Sequence, residues 1–201
     1  MKRIFSVVLF SFLGIQIFSQ AIYEDEKYVP ETNPLVLEKL DQWQGLKFGL
    51  LMHWGAYSQW GIVESWSLCP EEYGWCERKM GSNSENYYAY REEYENLIKT
   101  FNPTKFHPED WAEAAEYAGM KYVIFTTKHH DGFCMFDTRL RDYKVTMSPF
   151  GRDVARELAD ACRAAGVRIF CYYSQPDWTH PDYLTENHDR YVTYLHGQIK
   201  E

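Results

Sequence analysis

Ala118-Gly119-Met120-Lys121-Tyr122-Val123-Ile124-Phe125 and Ala165-Gly166-Val167-Arg168-Ile169-Phe170-Cys171-Tyr172 follow one pattern twice, 47 positions apart. In each, an alanine-glycine pair closes a helical segment and an apolar run of strand length starts almost at once. Glycine accepts the left-handed conformation that ends a helix, so the chain is thrown directly into the next strand. Pro108 opens the first of these helices, where its missing N–H costs nothing. Helix and strand alternating in this way predict a parallel sheet with right-handed crossovers.

Working outward, Lys47-Phe48-Gly49-Leu50-Leu51-Met52-His53 is a nearly continuous apolar run and predicts a first strand buried on both faces. A short helix is expected over Leu35 to Trp43, after an extended polar leader, residues 22–34, that contains Pro30. Gly55 to Ser84 has no period and is rich in Trp, Gly and Cys, which reads as a long structured loop of the kind that carries function. Tyr90, Tyr94, Leu97, Ile98 and Phe101 are spaced for a helix, and a last helix over Thr185 to Lys200 places Val192, Leu195 and Ile199 on one face. Three strands cannot close a barrel, and an open sheet of three would leave an apolar edge. The expected fold is α/β: an incomplete (β/α)8-like TIM barrel with its first three βα units present. Residues 35–201 would form the N-terminal part of a longer catalytic domain, broken off within a helix.

Composition limits the functions open to such a chain. Of 201 residues 45% are hydrophobic and 25% charged, which excludes a disordered protein. The formal net charge is -8 and no run of Lys or Arg could track a phosphate backbone, which argues against nucleic-acid binding. Aromatic residues reach 17%, more than a core of this size needs, and flat rings with polar edges suit amphipathic ligands such as sugars.

Residues 1–21 begin with Lys2 and Arg3, continue through an apolar run and end in Ser19-Gln20-Ala21, the layout of a cleaved signal peptide. Secretion or a periplasmic location follows, with an uncleaved anchor as the alternative; no second hydrophobic stretch reaches spanning length. Five cysteines are an odd number. Cys69 and Cys76 are near enough in one loop for a local disulfide, whereas Cys162 and Cys171 lie in apolar segments and read as small core residues.

Polar residues gather where each proposed strand ends: His53-Trp54-Gly55, then Lys128-His129-His130-Asp131-Gly132-Phe133, then Tyr172-Tyr173-Ser174 with Asp177 and Trp178 close behind. In parallel barrels that rim is where sites form. With Lys47-Phe48-Gly49 and Thr127 added, these strings resemble the alpha-L-fucosidases of glycoside hydrolase family 29 over roughly Leu35 to Glu201. The Lys-His-His-Asp-Gly-Phe string is the specific one.

The resemblance implies a secreted or lysosomal enzyme built on a barrel close to the eight-stranded type, usually followed by a small β-sandwich. Such enzymes remove α-linked fucose from glycans with retention and use no metal or other cofactor. It implies that His53, His129, His130 and Tyr172 bind the sugar, joined by Glu64 and Trp66 from Glu64-Ser65-Trp66 and by Trp178 on the sugar or leaving-group side. Trp66 and Trp60 packing only their own loop is the alternative. Asp131 is expected as a structural acceptor. The nucleophilic aspartate and the acid/base would both fall beyond Glu201, so the chain would hold sugar-site residues without a catalytic pair. A metal-dependent hydrolase using His53, His129, His130 and Asp131 and a non-catalytic fucose-binding relative are the competing readings.

Overall fold

The computed structural model describes residues 28–70 and 77–201; the signal peptide, the start of the leader and Cys76 lie outside the described residues. The chain divides into a unit ending at Leu40 and a compact unit from Asp41 onward. Helix α1 (Pro34–Gly45) begins with Pro34 at its first turn, and the Asn33 carboxamide accepts from the Leu35 amide, the expected cap. No helix among the described residues is long and apolar enough to cross a membrane.

From Asp41 onward the chain contributes β1 (Gly49–Met52), α2 (Tyr87–Glu95), α3 (Pro108–Tyr117), β2 (Tyr122–Lys128), α4 (Val154–Ala164), β3 (Arg168–Tyr173) and α5 (His188–Lys200). The three strands form one parallel sheet in the order β1-β2-β3. Both glycine stops behave alike. Gly119 and Gly166 have φ of +76° and +71°. The Met120 amide donates to Ala115 O at 2.9 Å and the Val167 amide to Cys162 O at 2.9 Å, while Gly119 and Gly166 donate to Glu116 O and Arg163 O. That double closure satisfies the last free carbonyls of α3 and α4 and aims the chain back along the sheet.

α3 and α4 pack on one face of the sheet. Ala112 and Ala115 of α3 and Val154, Leu158 and Cys162 of α4 are buried with Val123 and Phe125 of β2. Phe101, Phe106, Trp54 and Trp111 extend this core toward β1, with Trp54 and Phe106 ring centroids 5.1 Å apart. The small alanines of α3 let the helix approach closely, and the asymmetry between its faces gives it one orientation.

Four expectations change. β1 is not buried on both faces: Leu50 and Met52 pack on the core, but Leu51 faces the other way and is 52% exposed, because a strand with a single neighbour has little cover on that side. Cys162 is buried, but Cys171 is exposed on the edge strand β3. The helix expected through Phe101 is α2 followed by a 3-10 turn, Asn96–Thr100. In α5 the buried residues are Tyr191 and Gln198 while Ile199 is 60% exposed, because Tyr191 joins an aromatic cluster with His180, Tyr183 and His188.

The β2/β3 register runs from Tyr122 opposite Arg168 to Thr126 opposite Tyr172, then jumps to Lys128 opposite Tyr173. Thr127 is thus one residue more than β3 supplies, a bulge just before the histidine string.

Candidate functional site

Side chains alternate along a strand. Trp54 therefore enters the aromatic core, and His53 stands on the opposite side at the end of β1. Thr126 Oγ1 lies 3.0 Å from His53 Nδ1 and holds the ring from the neighbouring strand. The His53 ring centroid is 5.0 Å from that of Tyr172 and 5.7 Å from that of His129. Three strands thus bring one ring each to the same rim.

The long loop after β1 supplies the carboxylate. Glu64 has φ of +49°, a left-handed conformation that a residue with a long side chain rarely adopts. From there its carboxylate stands 2.9 Å from His129 Nε2 and 3.6 Å from His53 Nδ1, and it accepts from the Trp66 indole at 2.8 Å. The Trp66 ring lies 4.8 Å from His130 and 5.7 Å from Trp178, and His130 lies 4.7 Å from Trp178. These rings form an apolar wall beside the polar group. Trp60 instead packs against Tyr90 and Tyr94, so the loop-packing role belongs to it and not to Trp66.

Consecutive residues on a straight strand would point apart, yet the His129 and His130 rings lie 4.1 Å apart. The strand ends at Lys128, and the turn that follows bends through Gly132, φ +71°. Two serines anchor the rings: Ser65 Oγ at His129 Nδ1 and Ser174 Oγ at His130 Nδ1. The Ser174 hydroxyl donates to Pro176 O at 3.1 Å, so its single proton is engaged. His130 therefore carries its proton on Nδ1 and donates to Ser174, which leaves Nε2 as an acceptor. Burial, then the positive charge of Lys128, pushes His130 down to about 4. Burial, then His130, His53 and Lys128, pushes His129 down to about 2. Both rings are neutral at any ordinary pH. The Tyr172 phenol is raised by burial, then by Glu64, and remains a hydrogen-bond donor.

Asp131 is a scaffold group. It is 1% exposed, accepts from Tyr94 Oη at 2.7 Å and from the Phe133 amide at 3.1 Å, and burial raises its carboxyl to about 6 despite those donors. Beneath the rim lies a second buried charge. Asp177, wholly enclosed, accepts from Arg141 at 2.7 Å and from the Thr179 amide at 3.1 Å, with Lys128 Nζ 3.7 Å away. The Trp178 amide donates to His130 O at 2.8 Å, and the Thr179 hydroxyl to Asp131 O at 2.7 Å. These bonds fasten the turn after β2 to the turn after β3.

All seven residues expected at the site, His53, Glu64, Trp66, His129, His130, Tyr172 and Trp178, converge here. The anchors Ser65, Thr126, Ser174 and Arg141 carried no sequence signal beyond their place in or near the motifs. The competing metal set is not assembled. The ligand atoms within 4.8 Å of one another belong to His53, Glu64 and His129, while Asp131 is committed to Tyr94 and His130 to Ser174.

Cys69 is disulfide-bonded; its expected partner Cys76 lies outside the described residues.

Known proteins resemble this chain over most of its length. Tissue alpha-L-fucosidase of Rattus norvegicus is 33% identical over 169 residues, covering 79% of this chain and 35% of the relative. The Homo sapiens tissue alpha-L-fucosidase is 29% identical over 197 residues, 93% of this chain and 40% of the relative. Among solved structures, alpha-L-fucosidase isoenzyme 1 from Paenibacillus thiaminolyticus superposes with a TM-score of 0.65 at 38% identity, over 81% of this chain and 39% of its own. The chain thus spans 35 to 40% of the length of these relatives. The Alpha-L-fucosidase family profile matches residues 15–201, and the chain belongs to that family.

Proposed function

We propose that this chain forms the fucose-recognition part of a secreted or periplasmic retaining α-L-fucosidase, an exo-glycosidase that releases terminal α-L-fucose from glycans or glycoconjugates. Its fold is then the first three βα units of a barrel of the (β/α)8 type. The observation that carries the reading is the convergence of His53, His129 and Tyr172, one from the end of each of three adjacent strands, around the Glu64 carboxylate. Sugar hydroxyls meet acceptors at His130 Nε2 and Glu64 and a donor at Tyr172, while the Trp66 and Trp178 rings face the ring carbons and methyl. A site built on particular hydroxyls rejects a sugar lacking them by up to about 10^4-fold, whereas burying one methyl adds only about 0.8 kcal/mol.

Retention requires two carboxyl groups about 5 Å apart, one acting as nucleophile. Among the described carboxylates at this rim, Asp131 and Asp177 are enclosed and Glu64 stands between two imidazoles. The reacting pair is assigned to sequence beyond Glu201. A Bacteroides thetaiotaomicron relative 29% identical to this chain is described as a trapped covalent intermediate with 2-fluoro-fucosyl fluoride, which supports retention.

The test is calorimetric titration of the 201-residue chain with L-fucose, alongside an aryl α-L-fucoside assay. Saturable L-fucose binding without turnover is expected. Failure to bind L-fucose rejects the recognition role, and turnover rejects the assignment of the carboxylate pair.

A further inference from the structure

We propose that His53, Glu64 and His129 also bind a divalent cation of the zinc class, which excludes sugar by occupying the atoms that would hold it. The cation site goes beyond the fucose reading; only the competition rests on it. Two independent observations carry it. The three side chains each offer one ligand atom, all within 4.8 Å of one another. Second, His129 is 1% exposed and its Nε2 has no hydrogen-bond partner, although Glu64 Oε2 is only 2.9 Å away. At that distance a well-directed N–H would bond. The two groups are close without a hydrogen bond between them, so the buried Nε2 gains a partner only if a third group, such as an ion, enters.

The donor set selects the ion. Two imidazoles and one carboxylate suit Zn²⁺ and its neighbours, whereas Ca²⁺ and Mg²⁺ demand oxygen. Three protein ligands leave a further position for water, the pattern of an open zinc site. Each ligand already has a neighbour that holds it: Ser65 at His129 Nδ1, Thr126 at His53 Nδ1 at 3.0 Å, and the Trp66 indole at the Glu64 carboxylate at 2.8 Å. Such outer contacts strengthen metal sites. Glu64 and His53 are each 24% exposed and can close on an ion, while His129 stays fixed.

The experiment is titration of the metal-stripped chain with ZnCl₂ in the absence of sugar, read by calorimetry and by histidine ring resonances. One equivalent is expected to bind and to shift His53 and His129 while leaving the exposed His196 in place. Glu64→Gln and His53→Asn should each weaken binding by more than about tenfold, and His196→Asn should not, given that even outer-shell losses cost roughly 10–100-fold. MgCl₂ should not compete, and excess L-fucose should lower the apparent zinc affinity. Absence of stoichiometric zinc, or zinc binding untouched by both site variants, overturns the proposal, as does zinc binding that saturating L-fucose leaves unchanged. L-fucose titration in chelator tests the sugar reading separately, so either can fail while the other stands.

Discussion

His130 and Trp178 stand ring to ring, centroids 4.7 Å apart and planes tilted by 52°, while the Trp178 amide donates to the His130 carbonyl at 2.8 Å. The backbone bond sets the spacing of two turns, and the side chains turn that spacing into a surface. Trp178→Ala keeps the first and removes the second. The expected result is L-fucose binding weakened by about 3- to 10-fold, since aromatic pairs contribute about 0.5–1.5 kcal/mol. Unchanged affinity by calorimetry would place Trp178 outside the sugar's reach.

Asp177 is shared by two cations, the enclosed Lys128 and the partly buried Arg141. Burial lowers the Lys128 pKa, with Asp177 opposing it. Removing one partner of such a group strands the others, at a cost of about 3–5 kcal/mol. Asp177→Asn should therefore lower the urea midpoint strongly, whereas Asp160→Asn, which breaks an exposed pair with Arg163, should change stability by less than about 0.5 kcal/mol. Similar midpoints for the two variants would contradict this account.

Three glycines with the same backbone conformation should respond differently to alanine. At Gly132 a Cβ would meet Arg141 Nη1 and Asp177 Oδ1, both at 2.6 Å; at Gly119 and Gly166 it would meet nothing within 4 Å. The last two variants should cost about 1–2 kcal/mol, the left-handed penalty alone. Gly132→Ala should cost more and also weaken sugar binding, because the displaced groups hold the histidine turn. Thermal denaturation of all three in parallel decides it, and equal losses would mean that the 2.6 Å contacts relax freely.

Acid should destabilise the fold in a way set by three groups. His129 and His130 titrate at about 2 and about 4 when folded, against an ordinary 6.5. Between pH 6.5 and 4 the unfolded chain takes up protons that the folded chain refuses, so each histidine lowers stability as pH falls, by at most about 1.4 kcal/mol per unit. Asp131 has the opposite sign: its carboxyl is raised from 3.8 to about 6, so its contribution is complete below 3.8 and is lost as pH rises through 6. Asp131→Asn should thus steepen the pH dependence of unfolding between 4 and 6 by about one proton, and His130→Asn should flatten it by about one. Parallel slopes for wild type and both variants would falsify the assignment.

Legibility in the sequence followed the range of the forces involved. Gly119 and Gly166 announce two helix ends because a left-handed stop is a property of one residue. The adjacency of β2 and β3 followed from it. Their pairing did not: the repeat places Tyr122 against Ile169, whereas the sheet pairs Tyr122 with Arg168, because register is settled by hydrogen bonds between distant segments. The site's rings were legible as motifs at strand ends. Ser65, Ser174 and Arg141 were not, since an anchor has no signature until its partner is beside it. In α5, Val192, Leu195 and Ile199 looked like the inner face by hydropathy alone, but tyrosines with polar partners displaced them: Tyr191 Oη donates to Gln175 O, and Tyr173 Oη to Gln198 at 2.6 Å.

The bulge at Thr127 also determines the parity of everything after it. Residues of β2 before that point keep one alternation of faces, and those after it keep the other. Lys128 reaches Asp177 in the second alternation, and the turn that follows it brings His129 to Glu64. Loss of Thr127 would remove the unmatched residue and leave Lys128 opposite Tyr173, with a regular ladder in place of the bend before the histidine string. A single residue that β3 does not match thus sets the step between sheet and rim, and an insertion elsewhere in β2 would move Lys128 out of line with Tyr173.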